Sequence, residues 1–380
     1  MATGACSSGM PPLLQFGPRP VETACSTGSA RISFDFESAS ISRCMIHGER
    51  EFSVLMTPEH LPPINPSPWY AFRYHAKPGA DLKVHLHYLG GEHRYAPLWS
   101  DGKATRPLPI ESSPDGNRAT IVLPAGKGII SAQELVDAAH YRRALARWSR
   151  GSLAERFTIG RSHDRRRIGA VRIGRADAPR LVVLLGRQHP PEVTGAIAME
   201  AFVDRIAEMA EADPAMAARY QFLIVPLLNP DGVARGNWRA NLGGTDLNRD
   251  WGDFTQPETL AVKDWLDALP DGVRPVAMLD FHSTNRNLFY VQGDEASERE
   301  LAFLASWLGG KEDVFPDYRF TIERRNANPG SGTTKNWFHQ TYGIPSYTYE
   351  VGDNADRAGT RQAAESLASS LLKALEALEQ

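Results

Sequence analysis

Four apolar runs in the second half of the chain, at 181–185, 222–228, 276–279 and 344–350, limit the fold more than any other feature. The first three lack the polar alternation of a strand with one wet face, so they read as strands buried on both sides. The last carries more polar residues and ends in a glutamate. Between the runs lie stretches with helical periodicity at 192–209, 257–269, 296–308 and 360–378. Strands alternating with helices predict an α/β unit built on a mixed, largely parallel sheet flanked by helices.

The first third is patterned differently. Ile32, Phe34 and Phe36 alternate with polar residues, Leu82, Val84, Leu86 and Tyr88 face away from Lys83, His85 and His87, and 119–123 is another short run. Turn signals at Lys77-Pro78-Gly79, Gly90-Gly91 and Pro114-Asp115-Gly116 separate them, as in a small antiparallel β-sandwich. The expected organisation is a flexible lead-in over 1–30, a β-sandwich domain over 31–130, a helical connector over 131–150 and the α/β domain over 151–380. A chain of 380 residues accommodates two domains. His85 and His87 share one strand face, which suits a metal, but a solvated face is the commoner cause and no third ligand is nearby.

The net charge of −3 gives no reason to expect nucleic acid or an anionic membrane as partner. No apolar run is long enough to span a bilayer, and no charged-then-apolar leader opens the chain. The three cysteines, Cys6, Cys25 and Cys44, are an odd, clustered set far from any candidate site. They read as reduced thiols of a cytoplasmic protein. Cys6 would suit a lipoprotein site only with an apolar stretch before it, and there is none.

Chemistry gathers where the buried strands end, since loops beyond the carboxyl ends of a parallel sheet carry function. After 181–185 come His189-Pro190-Pro191-Glu192. Imidazole and carboxylate both bind zinc, and the two prolines stiffen the bend that holds them. A lone His-x-x-Glu is common by chance. A second candidate, His282, ends the run 276–279, although a strand-end histidine is often only hydrogen-bonded to the backbone. Asp280 is a possible orienting partner for it. The block 229–251, too polar and glycine-rich for a core, contains Arg239, Asn248 and Arg249. Guanidinium grips a carboxylate with two parallel bonds, and surface salt bridges explain these arginines less well. Glu350 ends the last run. Alone it is a solvated strand terminus, but beside a metal it is a general base.

Together, His189–Glu192, the 229–251 block, the 279–283 strand end and the 337–353 segment resemble the zinc metallocarboxypeptidases of the M14 type. The nearest likeness is to the cytosolic carboxypeptidase branch, whose members carry a similar sandwich before the catalytic domain. There the first ligand motif is typically His-Pro-Gly-Glu, and Asn65-Pro66-Ser67-Pro68-Trp69-Tyr70 matches an opening of a sandwich strand. The resemblance spans roughly 30–380. It implies a carboxypeptidase-like fold with a zinc carboxypeptidase catalytic domain at 151–380. His189, Glu192 and His282 would hold one Zn2+ per chain. Asn248 and Arg249 would clamp the substrate's terminal carboxylate, Arg239 would stabilise the developing oxyanion, and Glu350 would act as general base and acid. The expected partners are peptide or protein C-terminal tails.

Many members of the family place a mobile tyrosine about nine residues before the tryptophan matched by Trp337. Here that count reaches Asn328, with no tyrosine between Tyr318 and Tyr342. The residue two before that tryptophan commonly lines the pocket for the terminal side chain, and here it is Lys335, on an expected helix at 334–342. A cation there would favour terminal Glu or Asp; otherwise Lys335 faces solvent. A zinc amidase acting on an acylated amino acid or cell-wall peptide, and a non-catalytic tail-binding module, are the other functions this pattern allows.

Overall fold

The computed structural model describes residues 24–39, 42–60, 66–326 and 331–377. Most of the expected lead-in, with Cys6, lies outside the described residues, as do Asn65 and Asn328.

The N-terminal part is a sandwich of two sheets. Among the described residues one has six strands, in the order Ala24–Ser26, Ala30–Ser33, Ala71–Ala76, Gly126–Ser131, Leu98–Ser100 and Thr105–Pro107. The other has five, in the order Ser42–Gly48, Glu51–Met56, Leu82–Tyr88, Arg118–Leu123 and Glu111–Ser112. Neighbours are antiparallel except Glu51–Met56 and Leu82–Tyr88, which run parallel. The strand between them in sequence, Ala71–Ala76, lies in the opposite sheet and returns the chain in its starting direction. The period-two reading of 82–88 holds: Leu82, Val84 and Leu86 are fully buried. His85 bonds Thr120 and Glu51, both at 2.9 Å, and His87 bonds Ser53 at 3.1 Å. Among the described residues these two histidines belong to no group placed to share a cation.

The expectation of reduced thiols is corrected for two of the three cysteines. Cys25 and Cys44 form a disulfide, with Cα atoms 6.0 Å apart. It joins the first strand of one sheet to the first strand of the other. The cysteine count did not show this, because the pairing depends on which edges the sandwich brings together.

The helix Ala138–Trp148 is capped by Asp137 and leads into a sheet that has eight strands among the described residues. Its order is Ala154–Arg161, Arg167–Ile173, Tyr220–Val225, Arg180–Gly186, Arg274–Thr284, Ser346–Gly352, Leu288–Gln292 and Thr321–Arg325. The four strands from Tyr220–Val225 to Ser346–Gly352 are mutually parallel. Alternate residues feed two cores, which is why the first apolar run is unbroken. Val182 and Leu184 pack with the helices Val193–Ala212, Glu298–Trp307 and Arg357–Ala377. Leu181, Val183 and Leu185 pack with Pro257–Asp267 and Thr334–Tyr342. Each such side chain contributes about 1.5–3 kcal/mol through removal from water.

Several elements differ from the sequence reading. The strand expected at 276–279 runs Arg274–Thr284, its end masked by polar Asp280 and His282. The edge strand Ala154–Arg161 and its neighbour Arg167–Ile173, both arginine-bearing, carry too weak an apolar signal to be anticipated. Asn229-Pro230-Asp231-Gly232, a turn signal, instead opens the short helix Pro230–Arg235. Asn229 caps it by accepting from the Gly232 N–H at 2.9 Å, and Pro230 takes the first helical position, where no N–H is needed.

A digest of unreduced protein should yield Cys25 and Cys44 in one linked peptide pair. With 19 residues of separation, reduction should cost the sandwich about 2–4 kcal/mol. Free thiols at both positions in native protein would overturn the linkage.

Candidate active site

The bend after Arg180–Gly186 is held by an unusual residue. Arg187 has φ +53°, in the left-handed region, which costs a non-glycine residue about 1–3 kcal/mol. Its buried guanidinium offsets this cost. It donates to Pro190 O at 2.6 and 3.2 Å, to Val136 O at 3.1 Å and to Tyr141 Oη at 3.0 Å. The bend is thereby tied to the segment that leads into the connecting helix. Glu192 occupies the N-cap of Val193–Ala212 rather than its first turn, and its side chain does not cap that helix. The helix start presses on the neighbouring strand: a Cβ at Gly195 would lie 2.3 Å from His282 O. Gly195 N and Thr194 Oγ1 both donate to Ser283 Oγ at 2.8 Å.

This packing brings His189, Glu192 and His282 together. One ligand atom from each lies within 4.8 Å of the others, and all three are buried. His189 Nδ1 and His282 Nδ1 each lie 2.7 Å from a different oxygen of Glu192. Their Nε2 atoms are held by other carboxylates, Asp246 at 2.8 Å and Asp280 at 2.7 Å. Two imidazoles oriented by carboxylates, with a third carboxylate between them, suit a zinc ion in chemistry and spacing. Asp280 thus takes the orienting position considered for it. Asp246, its counterpart for His189, was missed, since in sequence it is one acid in a polar loop.

Charge is dense here. Burial and Arg239 favour a neutral His189, but Glu192 and Asp246 outweigh them and raise its pKa. Burial likewise opposes protonation of His282, while Asp280 and Glu192 push its pKa well above the usual value. Glu350 sits partly buried at the end of Ser346–Gly352, directly beside His282 in register. Its Oε2 is inaccessible and has no hydrogen-bond partner among the described residues. Burial lifts its carboxyl well above the ordinary range, Glu192 and Asp280 add to the shift, and the histidines oppose it.

A cleft of about 870 Å³ opens over this cluster, lined by His189, Glu192 and His282 together with Arg239, Asn248, Arg249, Lys335 and Glu350. Arg239 donates through Nε to Asp246 at 2.7 Å, and its two terminal nitrogens have no partner among the described residues. Asn248 Oδ1 accepts from Thr334 N at 2.9 Å and Thr334 Oγ1 at 3.1 Å, so its amide nitrogen, 3.5 Å from His282 Nε2, is the side that faces the cleft as a donor. Arg249 is exposed and forms no salt bridge among the described residues. Lys335 does not face solvent. It is buried on Thr334–Tyr342, with Nζ donating to Arg325 O at 3.0 Å and Val291 O at 3.4 Å. Burial lowers its pKa to about 8, partly opposed by Glu295.

Two other cleft residues escaped the sequence reading. Arg94 comes from the sandwich and bonds Asp353 at 2.7 Å and Ser67 at 2.6 Å. Tyr290, on a strand beside Ser346–Gly352, lies under Arg325, whose guanidinium carbon is 5.0 Å from the ring centroid. Neither stands near a motif in sequence, so no local signal marks them.

A family model described as zinc carboxypeptidase matches residues 144–367. The chain is 28% identical over 183 residues to cytosolic carboxypeptidase 6 of Caenorhabditis elegans, covering 45% of this chain and 40% of that protein. It is 32% identical over 145 residues to human cytosolic carboxypeptidase 2, covering 37% of this chain and 15% of that protein. The matched region therefore spans less than half the length of these relatives. Among solved structures, a metallo-carboxypeptidase from Burkholderia cenocepacia aligns with a TM-score of 0.73 at 20% identity, over 92% of this chain and 99% of that one. One from Pseudomonas aeruginosa, in complex with (2-guanidinoethylmercapto)succinic acid, gives 0.72 at 20% identity, over 91% and 99%. These structures share the fold, sandwich included.

If Asp246 and Asp280 orient the two histidines for a cation, Asp280→Asn should weaken zinc binding about 10–100-fold in chelator competition. Unchanged affinity would remove Asp280 from the site.

Proposed function

Because the chain belongs to the zinc carboxypeptidase family, we propose that it hydrolyses the C-terminal residue, Glu or Asp, from peptides or protein tails. The observation that carries this reading is the meeting of His189, Glu192 and His282 beside Glu350, under a cleft that also presents Arg239, Asn248 and Arg249. One Zn2+ per chain, held by His189, Glu192 and His282, would supply Lewis acidity to polarise the scissile carbonyl and acidify water.

The remaining steps fall to the chain's own groups. Arg249 and the amide of Asn248 bind the substrate's α-carboxylate and set the position of the last peptide bond. Glu350 takes a proton from the attacking water and passes it to the departing amine. A carboxyl whose pKa burial has raised is suited to both halves of that transfer. Arg239, with Nε fixed on Asp246, turns its free nitrogens to the oxygen that becomes negative in the transition state. Lys335, dry and held by two carbonyls, attracts an acidic terminal side chain. A tail-binding module would have no use for a buried base with an unpartnered oxygen. An amidase would use the same groups, and a mixed pool of peptides and N-acyl amino acids, read by mass spectrometry, separates the two.

Among the described residues no helix is long and apolar enough to cross a membrane. The cytoplasmic setting expected from the sequence agrees with the names of the cytosolic relatives. It is opposed by the Cys25–Cys44 disulfide, since such bonds persist in oxidising compartments. The unreduced digest decides between them.

Glu350→Gln should lower kcat about 10²–10⁴-fold while zinc stays bound. It should also abolish the acid limb, along which kcat/KM rises with pH as Glu350 ionises. Undiminished turnover would exclude Glu350 as the base. Peptides ending in Glu should be cleaved faster than those ending in Leu or Lys, and equal rates would discard the acidic pocket. Lys335 is charged below its pKa of about 8 and neutral above it, and a bound carboxylate raises that value. The preference for Glu should therefore persist through neutral pH and fade as pH climbs past about 8. A preference that does not change across that range would count against Lys335.

A further inference from the structure

The three consecutive amides of Trp238, Arg239 and Ala240 are buried in an irregular loop, and no backbone carbonyl among the described residues accepts from them. All three donate to one side chain, Glu59 of the sandwich. Trp238 N reaches Oε2 at 2.7 Å, Arg239 N reaches Oε1 at 2.8 Å, and Ala240 N bonds Oε1 as well. Glu59 is 9% exposed and lies some 180 residues away in sequence. The Trp238 indole extends the junction: it is buried among sandwich core residues, and its Nε1 donates to Trp69 O at 3.2 Å. The segment carrying Arg239 is thus fixed from both ends, through its backbone by Glu59 and through its guanidinium by Asp246.

We propose that Glu59 is a positioning residue for the reaction: by gripping the backbone of 238–240, the sandwich sets where the free nitrogens of Arg239 stand over the cleft. This rests on the carboxypeptidase reading above. A carboxylate is suited to the task because it accepts from several N–H groups at once and competes for none of them as a donor. Glutamine in its place would put an NH2 against at least one of those amides. The loop would then shift without losing its volume. Small displacements matter at this point, because a shift of about 1 Å in a group that must meet a transition state costs about 10²-fold in rate. The metal-binding residues have no bond to Glu59 and should be left intact.

The test compares wild type, Glu59→Gln, Arg239→Ala and the double variant, with zinc content, kcat and KM on a peptide ending in Glu. Glu59→Gln is expected to keep its zinc and its KM, to lose about 10²-fold in kcat, and to cost almost nothing further in the Arg239→Ala background. A residue that merely stabilises the fold would give a loss that adds to that of Arg239→Ala, and such additivity overturns the proposal, as does an unchanged kcat. Should Glu59→Gln not fold, hydrogen exchange on wild type reads the grip directly. The amides of 238–240 should exchange as slowly as sheet amides, and exchange at loop rates overturns it. A wild type that cleaves none of the peptides would overturn the carboxypeptidase reading and the role of Glu59 with it. Active wild type with fast-exchanging amides would sink the positioning role alone.

Discussion

The structure depends on the problem of holding like charges together out of water. Glu192, Asp246, Asp280 and Glu350 converge at the carboxyl edge of one sheet, with two imidazoles and the Arg239 guanidinium bonded among them. Such an arrangement is costly unless each oxygen has a donor or a cation. The chain answers with fixed geometry. Each histidine is held at both nitrogens, Gln188 donates to Asp280 and is itself held by the Trp251 indole, and the strand ends allow little drift. A zinc ion would suit this imbalance of charge, with His189, Glu192 and His282 close enough to share it. Two oxygens of these acids are buried with no hydrogen-bond partner among the described residues, Oδ1 of Asp280 and Oε2 of Glu350.

How much of this was legible in the sequence follows from how each element earns its stability. Strands such as Arg180–Gly186, covered on both faces, must be apolar throughout and announce themselves. The motifs at their ends were legible because metal ligation restricts residue types in short, ordered stretches. The edge strand Ala154–Arg161 and its neighbour Arg167–Ile173, both arginine-bearing, carry no such signature. Asp246, Glu59 and Arg94 were invisible for another reason: each acts through a contact whose partner lies far away in sequence, and an isolated acid or arginine in a loop resembles any other. The Cys25–Cys44 bond falls in the same class. Lys335 shows the intermediate case, where a count from a motif gave the position and only burial could tell whether it faced the cleft or the solvent.

The two halves of the molecule are less separate than their composition implied. The sandwich core does not end at its own strands. It takes in Val193 and Ile197 from the first turns of the helix after Glu192, as well as Trp238. Arg94 crosses the junction to Asp353, and Gln133 and Glu134 hold Arg357. These contacts sit beside the bend that carries His189 and Glu192 and beside the Arg239 loop, so the sandwich abuts the cleft.

The shared core limits what can be cut from the chain. A fragment beginning after the sandwich would expose Val193, Ile197 and the Trp238 indole to water, next to the segment that presents His189 and Glu192. Such a fragment would be sticky and poorly ordered where order matters most. The sandwich is therefore no detachable accessory: excision would be expected to yield aggregates, and insertions or fusions are better tolerated at the far ends of the sheets than along this seam.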